Sequence, residues 1–520
     1  MTEKDPPKDN QTSAANSDAK AVQTKVAGLL AKAPLMEDKQ GLTIYLQVLA
    51  LAPNNVTAHM KAGTLLGRAA EYKRAAEHFR KVAKLQPENL EARISLGKIA
   101  FADADFLKEG IIALQQASTI APDNAVPFYM LAKLFELSSR LEEAEKYLLQ
   151  GLRLAPDHPH SHRLYANILR RQGRIDEALA RLEAAPIPTD DPGLAITMHF
   201  ELGKLYDLKK DSEQSYEHYR QGNYIQTQTP QGRLVNKNAY LNMVRHIQQT
   251  FTAEWLDTWT PPAPTPGPSN VDPIFLVGFP RSGTTLLDQM LSSHPALQVI
   301  EEQPMLVNIQ ATLAAYDHYP EVLANLDNTL IQALRQQYHT DAAQHLTAGL
   351  GDVIIDKLPL NIVHVGLIMR LFPNARIILA LRHPCDAVLS CFMQSFGYNE
   401  AMANFHSLED AAKLYAEVMS LWRHYTELLP LNYCQIKYED IVNDLEGTAR
   451  KLLEFLDVDW DPCVLEFNKF ARSRERINTP SYEQVSEKIY TRSRNRWQRY
   501  EKQFQRVIPD LAPYIEYFDY

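Results

Sequence analysis

Ile274-Phe275-Leu276-Val277-Gly278-Phe279-Pro280-Arg281-Ser282-Gly283-Thr284-Thr285-Leu286-Leu287 decides the fold of the second half of the chain. An apolar run of strand type ends in a short turn with two glycines. Hydroxyl residues then open an amphipathic run with helical spacing. Strand, loop and helix N-terminus in this order aim backbone N–H groups and the positive end of a helix dipole at one point, which suits a phosphate-like anion. Gly278 and Gly283 keep the spacing of a nucleoside-triphosphate loop, but Thr284 stands at the lysine position. An ATP or GTP enzyme needs that lysine on its β and γ phosphates. The loop therefore predicts an anion cradle made for another ligand.

Around this stretch the composition sets limits. A chain of 520 residues exceeds what one core holds, so two or more domains are expected. A hydrophobic fraction of 45% and a charged fraction of 22% are those of a soluble globular protein. The net charge of −9 argues against a general nucleic-acid binder, and no nucleic-acid partner is expected. The cysteines are Cys385, Cys391, Cys434 and Cys463, with no C-x-x-C pair and no disulfide framework. A reducing, cytoplasmic location follows as the expectation. Met1 to Lys20 is polar and lacks the apolar core of a secretory signal. Residues 1–19 are expected to be disordered. The longest apolar candidate, Val363–Leu381, is interrupted by Arg370, Pro373 and Arg376, so no membrane span is expected.

The first half carries a period. Pro53, Pro87, Pro122 and Pro156 each follow an apolar helical stretch, at intervals of 34, 35 and 34 residues. Small residues follow in phase: Gly63, Gly97, Ala132 and Ala166, then Ala75, Gly110, Ala144 and Ala178. Small residues at fixed positions let two helices of one unit approach closely, and proline ends the second helix. This pattern resembles the tetratricopeptide repeat. With a degenerate unit before Pro53 and another after Pro186, where Gly203 and Ser215 keep the spacing, about five to six repeats are predicted across residues 20–225. Such an α-solenoid offers a face for a peptide or protein partner. His158, His160 and His162 alternate in an inter-repeat turn and are read as a solvated turn, not a metal site. Residues 226–257 look helical, and five prolines between Pro261 and Pro268 make a stiff linker. The expected limits are a helical repeat domain at 20–257, a linker at 258–271 and a second domain at 272–520.

The second domain alternates strands and helices. Candidate strands are Ile274–Val277, Val353–Asp356, Arg376–Leu381 and Tyr433–Tyr438, with helical patterns at 285–293, 360–372, 385–395, 411–428 and 441–456. This predicts an α/β fold with a parallel sheet and ligands at the carboxyl ends of its strands, where the opening loop, Lys357 and Arg382 lie.

Phe279-Pro280-Arg281-Ser282-Gly283-Thr284-Thr285 resembles the 5′-phosphosulfate loop of sulfotransferases. Arg382, eight residues before Ser390, resembles their 3′-phosphate strand and helix. More closely, about residues 272–500 are similar to tyrosylprotein sulfotransferases. The resemblance implies 3′-phosphoadenosine 5′-phosphosulfate as donor, and since no metal motif appears in the sequence, no metal is expected. It implies a general base at Glu302, in Ile300-Glu301-Glu302-Gln303, although Ile300 replaces the family's glycine. Lys357 matches a lysine near the transferring group, and Tyr438 matches a tyrosine near the adenosine. Ser481 and Arg496 match a serine and a basic residue on the cofactor, with arginine where the family has lysine.

The residues make chemical sense beside that likeness. The donor carries two anionic groups separated by a nucleoside. Arg281 with the backbone of Ser282, Gly283, Thr284 and Thr285 supplies one site, and Arg382 with Ser390 the other. Arg281 and Lys357 suit the charge that develops on transfer. Lys357, directly before Leu358-Pro359, has an ordinary pKa of ~10.4 and is a poor base at neutral pH, which leaves Glu302 for the acceptor's proton. The acceptor is expected to be a hydroxyl, with a protein tyrosine presented by the repeats as one candidate. Carbohydrate, lipid or small-molecule acceptors are the alternative, and a non-catalytic repeat scaffold with a nucleotide-sensing domain is a second. A homodimer is compatible with either.

Overall fold

The computed structural model describes residues 10–259, 272–347, 351, 353–467 and 494–520. The chain divides into two compact units, Met1–Pro186 and Ile187–Tyr520.

The first unit is built from helix pairs. Val56–Arg68 packs on Tyr72–Leu85, Leu90–Ala102 on Leu107–Ile120, Ala125–Leu137 on Leu141–Leu154, and Pro159–Arg171 on Ile175–Glu183. In the first three pairs an asparagine two residues after the phase-marking proline caps the first helix. Asn55, Asn89 and Asn124 each accept a backbone N–H at 2.9 Å. The small residues do what their spacing predicts. A Cβ on Gly97 would lie 2.6 Å from Leu114 Cγ on the facing helix, and Ala75, Ala132, Ala144 and Ala178 are fully buried. Gly97→Val is therefore expected to destabilise this unit by about 1–3 kcal/mol in chemical denaturation. Adding Leu114→Ala should return part of that loss. A Gly97→Val protein as stable as wild type would remove close approach as the reason for the glycine.

Two expectations change at the N-terminus and at His162. The helix Asn10–Lys32 begins inside the stretch expected to be disordered, in a run from Asn10 to Ala27 with no proline or glycine to break it. His162 is buried rather than solvated, with Nε2 2.7 Å from the Pro156 carbonyl.

The second unit holds more than the sheet. Its first helix pair, Pro192–Leu208 and Ser212–Gln228, repeats the pattern of the first unit, and Ser215 Oγ donates to Gly203 O at 2.8 Å. This pair is fastened to the α/β core. Asn223 Nδ2 donates to Phe392 O at 2.9 Å, and Gln226 Nε2 donates to Phe396 O at 2.6 Å. Tyr500 bonds Asp207 at 2.7 Å and Ser215 at 2.8 Å. The helix Lys237–Thr250 joins the same core through buried Leu241, Val244 and Ile247. The contacts thus divide the chain well before the proline-rich stretch, of which residues 260–271 lie outside the described residues.

Five parallel strands form one sheet in the order β2-β3-β1-β4-β5: β1 Ile274–Gly278, β2 Leu297–Glu301, β3 Val353–Lys357, β4 Arg376–Leu381 and β5 Asn432–Lys437. Side chains alternate between two apolar layers. Phe275, Val277, Ile377 and Leu379 enter one, and Ile274, Leu276, Ile378 and Ala380 the other. Burial on both faces explains why these strands read as continuous apolar runs. β2 was not among the expected strands. Tyr438 opens the short helix Tyr438–Asn443 instead of closing β5. Because β1 lies between β3 and β4, the chain crosses it on passing from one side of the sheet to the other, and the crevice for a ligand opens at the carboxyl end of β1.

Candidate active site

The loop after β1 fills that crevice. Gly278 sits at its entrance because a Cβ there would lie 2.5 Å from Ala380 O on β4. Gly283 closes it as the N-cap of the helix Thr284–Ser292, at φ +94°, in the left-handed region that glycine enters without strain. Arg281 takes φ +69° without being glycine, a strained conformation held by its surroundings. Its Nε donates to Ser390 Oγ at 3.1 Å, and its carbonyl accepts from Arg382 Nη1 at 3.2 Å. The Arg382 guanidinium lies over the Tyr438 ring at 5.0 Å, and that ring rests against Gly283. Arg281, Gly283, Arg382, Ser390 and Tyr438, spread over more than 150 residues of sequence, thus meet at one point. Ser282, Thr284 and Thr285 are buried in the same loop, and the Ser282 hydroxyl has no hydrogen-bond partner among the described residues. An orphaned buried hydroxyl in an anion cradle fits a ligand oxygen.

A second cluster stands at the ends of β2 and β3. Glu301 pairs in register with Lys357, and the Glu302 N–H continues the ladder by donating to Lys357 O at 2.7 Å. Glu302 then turns at φ +50°, another left-handed non-glycine. This turn brings its carboxylate back to Lys357 Nζ at 2.9 Å, while Glu301 lies at 3.4 Å and Asp288 at 3.6 Å. The Lys357 side chain is 0% exposed and that of Glu302 39%. Burial alone would lower the pKa of Lys357. Asp288, Glu302 and Glu301 together outweigh it and hold the ammonium above its ordinary range. Lys357 is thus held as a cation at neutral pH, and Glu302 is the most exposed carboxylate of the cluster.

Asp288 was not foreseen. It sits one turn into the helix that the loop opens, so it ties the anion cradle to Lys357. An isolated aspartate in an amphipathic run carries no sequence signal for this. Arg496 is placed differently from the other matched residues. It forms an ion pair with Asp207 at 2.9 Å, in the helix Pro192–Leu208. Its neighbours bind the helix that carries Ser390: the N–H groups of Asn495 and Trp497 donate to Asp386 at 2.7 and 2.9 Å, and Trp497 stacks on His383. Ser481 lies outside the described residues. Among the described residues no group of three or more His, Cys, Asp or Glu side chains could hold a metal ion, and no helix is long and apolar enough to cross a membrane.

Residues 273–462, which contain both clusters, match the sulfotransferase family model. The chain carries a sulfotransferase domain. Residues 60–125 and 129–194 match a tetratricopeptide-repeat model. Among curated relatives, an uncharacterized protein of Aquifex aeolicus is 29% identical over 323 residues, covering 60% of this chain and 41% of that protein. A protein-tyrosine sulfotransferase of Drosophila melanogaster is 25% identical over 232 residues, covering 42% of this chain and 44% of that protein. The chain thus spans less than half the length of these two relatives. Among solved structures, the sulfotransferase domain of the Synechococcus PCC 7002 olefin synthase is 23% identical, with a TM-score of 0.36, and covers 50% of this chain and 98% of that one. The likeness read from the loop and from the 34-residue period holds, and the sulfotransferase domain follows tetratricopeptide repeats.

Proposed function

We propose that the sulfotransferase domain uses 3′-phosphoadenosine 5′-phosphosulfate as donor and a peptide tyrosine as acceptor. The observation that carries the donor is the pair of cationic elements joined at the loop, Arg281 with Ser390 and Arg382 over Tyr438. Two phosphates on one nucleoside call for two such elements. Arg281 and the backbone of Ser282, Gly283, Thr284 and Thr285 hold the 5′ side. Arg382 and Ser390 hold the 3′ side, and Tyr438 lies beside the nucleoside. The donor supplies the sulfuryl group and leaves as 3′,5′-adenosine bisphosphate. Glu302 accepts the proton of the acceptor hydroxyl as its oxygen bonds to sulfur. Lys357 and Arg281 stabilise the charge that builds on the leaving and peripheral oxygens. The acceptor class is supported by the tyrosine-sulfotransferase relative and by repeats of a kind that commonly bind polypeptides.

Calorimetry with 3′,5′-adenosine bisphosphate tests the donor. Wild type should bind it, and Arg382→Ala should bind it about 10–100-fold more weakly, the loss expected for a charge-assisted contact. If folded wild-type protein shows no affinity for the bisphosphate, the donor assignment fails.

A further inference from the structure

One face of the repeat array is left unexplained by its packing. On the helix Ala125–Leu137, Val126, Tyr129, Lys133 and Leu137 follow helical spacing and share a stripe. Val126 is 48% exposed and Leu137 53%, while Tyr129 and Lys133 are half-buried. The first helices of the neighbouring repeats contribute to the same face. Phe101, on Leu90–Ala102, lies under Lys133 Nζ at 5.0 Å. Arg163, on Pro159–Arg171, acts on both Tyr129 and Lys133, and His158 packs edge-on to Tyr129 at 5.4 Å.

Two half-buried cations from adjacent repeats therefore lie close enough to act on each other across this face. Neither Lys133 nor Arg163 forms an ion pair or a hydrogen bond among the described residues. The one carboxylate that acts on Lys133, Glu136, is bound by Arg171 at 2.5 Å. Burial lowers the Lys133 pKa and Arg163 lowers it further, with Glu136 opposing. Like charges partly removed from water without a counter-charge are unfavourable, and an incoming anion relieves them. The apolar surface on both sides, at Val126 and Leu137, lets a polypeptide with its own apolar side chains match this face better than a bare anion does.

We infer that this face docks an acidic segment of a partner protein, with carboxylates against Lys133 and Arg163 and apolar side chains against Val126 and Leu137. This gives residues and a charge class to the peptide-binding part of the proposed function. It needs neither donor nor turnover, so it fails or stands separately from the transfer chemistry.

The test is fluorescence anisotropy on the full chain, with a short labelled peptide alternating glutamate and leucine. The acidic peptide should bind, and added salt should weaken it. The counterpart with lysine in place of glutamate should not bind. Lys133→Glu with Arg163→Glu should lower affinity for the acidic peptide at least ~10-fold and admit the basic one. Lys133→Gln with Arg163→Gln, which introduces no charge, should show the first effect alone. Thermal unfolding should be little changed in the glutamine pair, since neither cation forms an internal ion pair or hydrogen bond among the described residues and the contact of Lys133 with Phe101 is half-exposed. Undiminished binding of the acidic peptide by the folded glutamine pair would overturn the inference. So would tighter, mutually exclusive binding of a single-stranded oligonucleotide, which would assign the face to nucleic acid.

Discussion

Lys357→Met is expected to abolish sulfuryl transfer and to lower the melting temperature by about 4–7 °C, the shift for ~3–5 kcal/mol in the unit Ile187–Tyr520. The ammonium is fully buried and faces three carboxylates, of which Asp288 is itself buried. Removing it leaves those carboxylates without their counter-charge, and a buried charge that loses its partner is strongly destabilising. Adding Asp288→Asn to Lys357→Met should restore part of the stability and none of the activity. That split separates the structural role of the lysine from its role at the reacting group. Because the folded-state pKa of Lys357 is raised, its contribution is fully present below the unfolded value of ~10.4. The contribution is lost only as pH rises through the higher folded value. The stability gap between wild type and the methionine variant should therefore stay level from pH 7 to about 9 as far as this lysine governs it, and shrink in strongly alkaline solution. A methionine variant with wild-type turnover would remove Lys357 from the chemistry.

Glu302→Ala is expected to lower kcat by ~10²–10⁴-fold while affinity for 3′,5′-adenosine bisphosphate stays near wild type. The carboxylate is 2.9 Å from Lys357 and partly open to solvent, so an acceptor hydroxyl can reach it. Glu302→Gln keeps the shape and a hydrogen-bond acceptor beside Lys357 but cannot take a proton, and it should lose as much rate as the alanine variant. Equal loss in both identifies proton transfer as the function removed. Near-full activity in the glutamine variant would show that Glu302 only orders the lysine.

Both variants test the cluster at the ends of β2 and β3, which was less legible in the sequence than the anion loop. The anion loop could be read from one continuous stretch because strand, loop and helix each carry a local signal. The repeats could be read because their small residues recur in phase, and the close contact at Gly97 is the physical cause of that recurrence. β2 was not legible. Leu297-Gln298-Val299-Ile300-Glu301 is a short edge strand, half-buried in part, and the acidic pair beyond it reads equally well as a helix start. Asp288 was not legible because its partner is 69 residues away and meets it only through the sheet. The contact between Arg496 and Asp207 spans 289 residues. It belongs to the same long-range packing that joins the helices Pro192–Leu208 and Ser212–Gln228 to the α/β core. The sequence marks these helices as one more repeat, and only tertiary contacts assign them to the second unit.

The most direct measurement is transfer itself: full-length protein, sulfur-labelled 3′-phosphoadenosine 5′-phosphosulfate, and a mixture of tyrosine peptides, glycans and simple phenols. Label is predicted on tyrosine hydroxyls, and it should be absent with Lys357→Met and depleted with Glu302→Ala. Label confined to glycans would move the acceptor class and leave the catalytic cluster standing. Folded protein that binds the bisphosphate yet labels none of these acceptors would contradict the central claim and make the domain a nucleotide sensor on a repeat scaffold.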